Sequence, residues 1–261
     1  MILDGNAIDA DPTSLATNEL VFASYLGGSG DENTTYLGLA LSPSGDLLIG
    51  GATNSTDFPT TSQPSVDSTH GGGIDGIVAS FRPTTGGYEQ HLTTYLGGSS
   101  TDYIRGIGVD DSGLIHVAGN TNSEVFPLTP DAFQTERDGR VGFVTRMSSD
   151  GEIQYSTFFG NETVQDAKID AGGNTYIVGT SAVEGFPVTP GAYTPPTVSG
   201  SIGTYVSKID ATGALELSTW FQPSLGRTNA GFARIELDGD RPLILGVDTG
   251  GGSQNKLLHT V

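Results

Sequence analysis

The sequence predicts an all-β fold, a β-propeller of about four blades, each a four-stranded antiparallel sheet. Three observations lead there. The segment Phe22-Ala23-Ser24-Tyr25-Leu26-Gly27-Gly28-Ser29 returns as Leu92-Thr93-Thr94-Tyr95-Leu96-Gly97-Gly98-Ser99, as Tyr155-Ser156-Thr157-Phe158-Phe159-Gly160, and faintly as Leu217-Ser218-Thr219-Trp220-Phe221-Gln222. Measured from Tyr25, Tyr95, Phe158 and Trp220, the steps are 70, 63 and 62 residues. A second marker keeps the same phase: Phe58-Pro59-Thr60-Thr61, Phe126-Pro127-Leu128-Thr129 and Phe186-Pro187-Val188-Thr189, at steps of 68 and 60 residues. Internal repetition at such a period fixes the architecture before any single element is read. The third observation is 39 glycines spread along the chain, which suits many tight turns and suits long helices badly.

Each unit reads as four strands. The first covers Tyr36–Leu41, Ile104–Val109, Val164–Ile169 and Gly231–Leu237 in successive units. Gly- and Asx-rich turns follow (Ser44-Gly45-Asp46, Asp111-Ser112-Gly113, Gly172-Gly173-Asn174, Asp238-Gly239-Asp240), which tolerate positive φ and close short hairpins. The second strand is Leu47–Ala52, Leu114–Gly119, Thr175–Gly179 and Leu243–Val247. After the Phe-Pro connector comes the third, Gly76–Phe81, Gly142–Met147 and Thr204–Ile209, with Lys256–Val261 as its counterpart in the last unit. The Tyr-Leu-Gly-Gly segment is the fourth strand, where Leu92, Thr94 and Leu96 alternate with Thr93 and Tyr95 at period two. Four antiparallel strands repeated radially make propeller blades.

The domain reading follows. Residues 1–18 are an N-terminal extension or linker and 19–261 the propeller: blades at 36–98, 103–160 and 164–222, and a partial fourth at 230–261. Residues 19–28 form a spare outer strand expected to complete the fourth blade and close the ring; an arc of a larger ring is the alternative.

Charge narrows the partners. Thirty acidic against 11 basic residues give a net charge of −19, with Lys168, Lys208 and Lys256 the only lysines. Such a surface repels phosphate backbones and anionic lipid, so neither nucleic acid binding nor membrane insertion is expected. No stretch approaches the roughly 20 apolar residues of a membrane span. The absence of cysteine excludes thiolate catalysis, zinc–cysteine sites and disulfide stapling. Residues 1–6 show neither a basic n-region nor an apolar h-region, so an export signal would lie outside this chain.

The pattern Tyr-Leu-Gly-Gly-Ser-x-x-Asp, the hairpin Val109-Asp110-Asp111-Ser112-Gly113-Leu114-Ile115-His116-Val117-Ala118-Gly119, and the connector Phe-Pro-x-Thr-Pro-x-Ala-Phe together resemble the SBBP β-propeller repeat family. The resemblance covers roughly residues 19–222 and is strongest in the second unit. It implies an extracellular or cell-surface location and a binding or scaffolding role, and it carries over no catalytic residue.

Among candidate sites, Gly71-Gly72-Gly73-Ile74-Asp75-Gly76 fits the letters of a dinucleotide loop, but a strand follows it where a helix is needed. His70, His91, His116 and His259 show no metal-ligand spacing, and neither H-E-x-x-H nor G-x-S-x-G occurs. His91 and His116 read as surface or packing positions. Phe58, Phe126 and Phe186 read as wedges between blades, with proline stiffening the loop. Asn33, Asn54 and Asn161 begin N-glycosylation patterns, which arise readily by chance in a Ser/Thr-rich chain.

The carboxylates are the more specific group. Asp57, Glu124 and Glu184 precede the connector phenylalanines, while Asp31 and Asp102 follow the Tyr-Leu-Gly-Gly segment. In a four-stranded blade these two sets of loops share one end, so the acids are expected on a common rim, where a hard cation such as Ca²⁺ takes oxygen ligands. The bland account is that Asp is a common turn residue in an acidic chain. The expected function is a non-catalytic binding or structural module of an exported or cell-surface protein, presenting a loop-rich acidic face to a protein or glycan partner. The alternatives are a Ca²⁺-binding propeller and a carbohydrate-active enzyme with its site at the channel mouth; no other cofactor is called for.

Overall fold

The computed structural model describes residues 23–32, 38–137, 139–160, 163–182, 186–193, 202–221, 233–247 and 256–260. These residues form no helix, and their strands make four antiparallel sheets in sequence order. The first sheet is β1 (Gly38–Leu41), β2 (Leu47–Thr53), β3 (Asp75–Thr84) and β4 (Gly87–Leu96). The second is β5 (Asp102–Val109), β6 (Ile115–Thr121), β7 (Val141–Met147) and β8 (Ile153–Phe159). The third is β9 (Thr163–Ile169), β10 (Thr175–Ala182), β11 (Ile202–Ile209) and β12 (Leu215–Phe221). The fourth holds β13 (Ala233–Asp238), β14 (Arg241–Val247) and β15 (Lys256–Thr260).

Each sheet is a meander whose strands pair only with their sequence neighbours. The hairpin turns between the first two strands carry Gly45, Gly113 and Gly173 at φ of 87°, 86° and 82°, the left-handed region where a side chain is strained. The expected Gly- and Asx-rich turns thus have the backbone that their composition requires.

The sheets stack face to face, and a separate apolar core fills each junction. Leu48, Val78, Leu92 and Leu96 of the first sheet meet Ile104, Ile107, Val117 and Phe143 of the second. Ala118, Val144 and Phe159 meet Ala167, Ile177 and Tyr205 of the third, and Tyr176, Val178 and Val206 meet Ala233, Ile235 and Ile244 of the fourth. The innermost strands approach closely because glycine faces a larger residue. A Cβ on Gly38 would lie 2.8 Å from Ile107 Cγ2, and one on Gly108 would lie 2.8 Å from Ile169 Cβ. The register places Leu39 and Leu41 of β1 where β5 has Ile107 and Val109. Ile107 is buried against the first sheet, whereas Leu39 and Leu41 are 62% and 65% exposed.

The Phe-Pro connectors have a specific task. In three blades the connector threonine bonds the outer strand in both directions: Thr61, Thr129 and Thr189 donate their N–H to Thr93, Ser156 and Ser218 carbonyls (3.0, 3.1 and 3.0 Å). Their hydroxyls accept the N–H of the same three residues, each at 3.0 Å. The connector therefore covers an edge that would otherwise present free backbone groups to another chain. Phe58, Phe126 and Phe186 are buried, as the sequence suggests, and Phe126 and Phe186 join the apolar cores of the first and second junctions. Phe126 packs on Phe143 and Phe158, and Phe186 on Tyr205, all in their own blades.

The segment expected to close the ring starts outside the described residues. Its described part, 23–28, forms no strand; the chain from Gly28 onward docks on the first blade through Ser55 and Asp57. Among the described residues β15 pairs with β14 alone.

Candidate functional site

The loops between the fourth strand of one unit and the first strand of the next are built around a carboxylate. In the second loop, Asp102 Oδ2 accepts the Gly98 N–H and the Ser123 hydroxyl, both at 2.8 Å. Ser123 Oγ accepts the Ser100 N–H (2.9 Å), and its own N–H donates to Thr121 Oγ1 (2.9 Å). The first loop repeats the circuit. Glu32 Oε1 accepts the Gly28 N–H (3.0 Å) and the Ser55 hydroxyl (2.8 Å), Ser55 Oγ accepts the Gly30 N–H (2.8 Å), and the Ser55 N–H donates to Thr53 Oγ1 (2.9 Å). A loop with several inward N–H groups needs an acceptor, and one carboxylate with one serine supplies it.

This circuit corrects one alignment. The acids Asp31 and Asp102 were expected to correspond, but the 70-residue step places Glu32, not Asp31, at the position of Asp102. Asp31 is exposed, and its N–H donates to Asn54 Oδ1 (2.6 Å). Asp57 is exposed and accepts the Ser29 N–H (2.8 Å) and hydroxyl (3.0 Å), which hold its carboxyl below the usual aspartate range. Glu124 is exposed, and Glu184 lies outside the described residues. Asn54 of the glycosylation pattern supplies a loop hydrogen bond beside a Ser55 that is 1% exposed; Asn33 and Asn161 lie outside the described residues. Among the described residues no three of His, Asp and Glu are disposed to hold a metal ion.

What the repeat reading missed is Asp75. It opens β3 and pairs with Thr53; the equivalent partners of Thr121 and Ser181 are Val141 and Gly203, neither ionisable. Asp75 is 1% exposed and Asp102 is fully buried. Asp75 Oδ2 accepts the Gly71 N–H at 2.6 Å, while Asp75 Oδ1 and Asp102 Oδ1 are buried without a hydrogen-bond partner. The two carboxylates converge over Gly97, where an added Cβ would meet Asp102 Oδ2 at 2.7 Å and Asp75 Oδ1 at 2.9 Å. His70 borders the pair, its Nε2 also without a partner and its ring edge-on to Tyr95 at 5.7 Å.

Burial sets the electrostatics. It raises Asp75, against the Gly71 N–H and the nearby His70, and the charge of Asp102 raises it further. Burial also raises Asp102, against the Thr121 and Ser123 hydroxyls and the Gly98 N–H. For Glu32, burial is outweighed by hydrogen bonds from Gly28, Ser55 and Thr53, so its carboxyl is held low. The signal that could have found Asp75 was in the sequence: a carboxylate in a strand where the other units place Val141 and Gly203.

A second buried pair lies between the second and third blades. His116 Nε2 and Asp110 Oδ2 are 2.9 Å apart, and Asp110 Oδ1 caps its turn through the Ser112 and Leu114 N–H groups. Burial lowers His116, against the hydrogen bond to Asp110, and Arg146 adds to the lowering. Burial thus favours the neutral ring, and in that form Nε2–H is the hydrogen that can reach the carboxylate. Thr175 Oγ1 is 3.5 Å from Nδ1, but Asp110, His116 and Thr175 are 7%, 1% and 0% exposed, so this is a packing arrangement closed to substrate. His91 stands 3.6 Å from Asp150 across a blade junction. At the opposite end of the first junction a cleft of ≈ 300 Å³ is lined by residues including Ser42, Asp46 and Asp111 beside the turns and Arg82 of β3.

Four meander sheets stacked through their faces are the arrangement that the blades of a propeller take. Residues 93–127, from β4 through β6 into the second connector, match the family model of the SBBP beta-propeller repeat, so the chain carries at least this one SBBP repeat. Among solved structures it is similar to a Hadza microbial sialidase, Hz136, at 12% identity and a TM-score of 0.49, over 85% of this chain. The chain spans 43% of that protein's length. No curated protein matches the sequence.

Proposed function

We propose that the chain is a non-catalytic binding or structural β-propeller module of an exported or cell-surface protein, which meets a protein or glycan partner through its loop-rich acidic end and long connectors. The observation that carries this is a pair of rings. Phe133 and Tyr193 hold the same place after the Phe-Pro-x-Thr turn in successive blades, and they are 46% and 64% exposed. Apolar rings repeated at the surface, flanked by polar loops, suit a partner that stacks on aromatics or covers them. The repeated carboxylates Glu32 and Asp102, by contrast, are engaged in holding loops together. Closure of the sheets into a four-bladed ring belongs to the same proposal.

The test is a panel of immobilised glycans and of cell-surface extract proteins, run beside fluorogenic glycosides. Saturable binding without turnover is expected, weakened about tenfold by Phe133→Ala with Tyr193→Ala, as for a modest hot spot. Turnover of a glycoside by the wild type, abolished in Asp75→Asn, would establish the enzyme instead. Binding that ignores the double substitution would move the contact elsewhere.

A further inference from the structure

We propose that Asp75 and Asp102 form a divalent-cation site of the Ca²⁺ type at the junction of the first two blades, with Asp102 the one acid of the expected rim that takes part, independent of the partner proposed above. Three features carry it. Each carboxylate has one oxygen fixed by loop donors, Gly71 N–H on Asp75 and Gly98 N–H with the Ser123 hydroxyl on Asp102. Each keeps its other oxygen buried and bare, in side chains at most 1% exposed. Donors on one oxygen favour the charged form and orient the group, which leaves the second oxygen ready as a hard ligand.

The second feature is convergence. Both carboxylates reach the space over Gly97, Asp75 with its bare Oδ1 and Asp102 with the Oδ2 that its loop donors hold, where glycine leaves room that a Cβ would fill. Two buried like charges facing each other are unfavourable unless something neutralises them. Among the described residues, His70 acts on Asp75 and Arg137 on Asp102 through their charge alone. A cation would supply the missing charge, with loop carbonyls or water completing the six to eight oxygens that Ca²⁺ takes.

The third feature is asymmetry. A residue needed only for the blade would recur, yet the equivalent positions hold Val141 and Gly203. The fold therefore tolerates an uncharged residue there, which makes Asp75→Val a safe probe of the site.

Thermal unfolding of the whole chain at pH 7.5, in EDTA and then in 1 mM CaCl₂, decides the matter. The wild-type midpoint should rise by about 5 °C with Ca²⁺, as expected for a ligand bound only by the folded state. Asp75→Val should fold and show no Ca²⁺ response, and calorimetric titration should lose one site. No wild-type shift up to 10 mM CaCl₂ (about a hundredfold above a moderate affinity) overturns the proposal. An equal shift in Asp75→Val overturns it too, by placing the cation elsewhere. A wild-type midpoint that ignores Ca²⁺ but rises on acidification only when Asp75 is present would mean that the two carboxyls share a proton instead.

Discussion

The first and second inter-blade loops, built to one plan at Gly27–Glu32 and Gly97–Asp102, differ in what faces the glycine. The atoms nearest a Cβ on Gly27 would all be those of Glu32, the first its Oε2 at 2.6 Å, whereas one on Gly97 would meet both Asp102 and Asp75. Glu32 is half-buried, satisfied by three donors, and held low. Asp102 has comparable donors but lies in a closed junction opposite a second acid, and is raised. The comparison separates two uses of acidic residues in one repeat protein. Where an acid recurs with its serine and its glycine, it builds the loop. Where an acid appears once, in a strand that needs none, it is the place to look for chemistry.

Removing each loop acid should give the largest contrast. Asp102→Ala leaves the Gly98 N–H and the Ser123 hydroxyl buried without an acceptor, and should cost about 2–3 kcal/mol in urea unfolding. Glu32→Ala strips the same partners in a more open loop, where water replaces the acceptor, and should cost under about 1 kcal/mol. Equal losses would mean that the two loops are not differently buried.

A smaller effect separates the buried His116 from both loops. Its folded-state pKa lies below the ordinary 6.5, so protonation opposes folding. The stability it allows is present above pH 6.5 and is lost as the pH falls from there toward the lower folded value. Asp110 is shifted the same way, below 3.8, so its contribution is not touched in that range. His116→Leu installs the residue found at the equivalent Leu48. The wild type should lose about 1 kcal/mol relative to this variant between pH 7.5 and 5.5. Parallel pH profiles would refute the neutral, buried imidazole.

Much of the fold was legible because its signals are local. Turn glycines and period-two alternation located β2, β7 and β9 to within one residue at each end. The two markers gained a shared cause that spacing alone does not reveal: Thr129 of one marker bonds Ser156 of the other, which is why they keep phase. The site was less legible because it depends on direction. Sequence placed Asp102 at the correct end of the blade, but not that its loop folds inward to a fully buried position. Asp75 was passed over because the third strand was read from Gly76, one residue late, so its carboxylate counted as part of a glycine loop.

The most direct test of the distinction between loop-building and singular acids is the equilibrium unfolding of Asp75→Val in EDTA at pH 7.5. If Asp75 serves a bound cation and not the blade, the variant should stay within about 1 kcal/mol of the wild type, the freed Gly71 N–H being offset by removal of a bare buried charge. A variant less stable than the wild type by more than about 1 kcal/mol would show that Asp75 is part of the fold, and the distinction would fail.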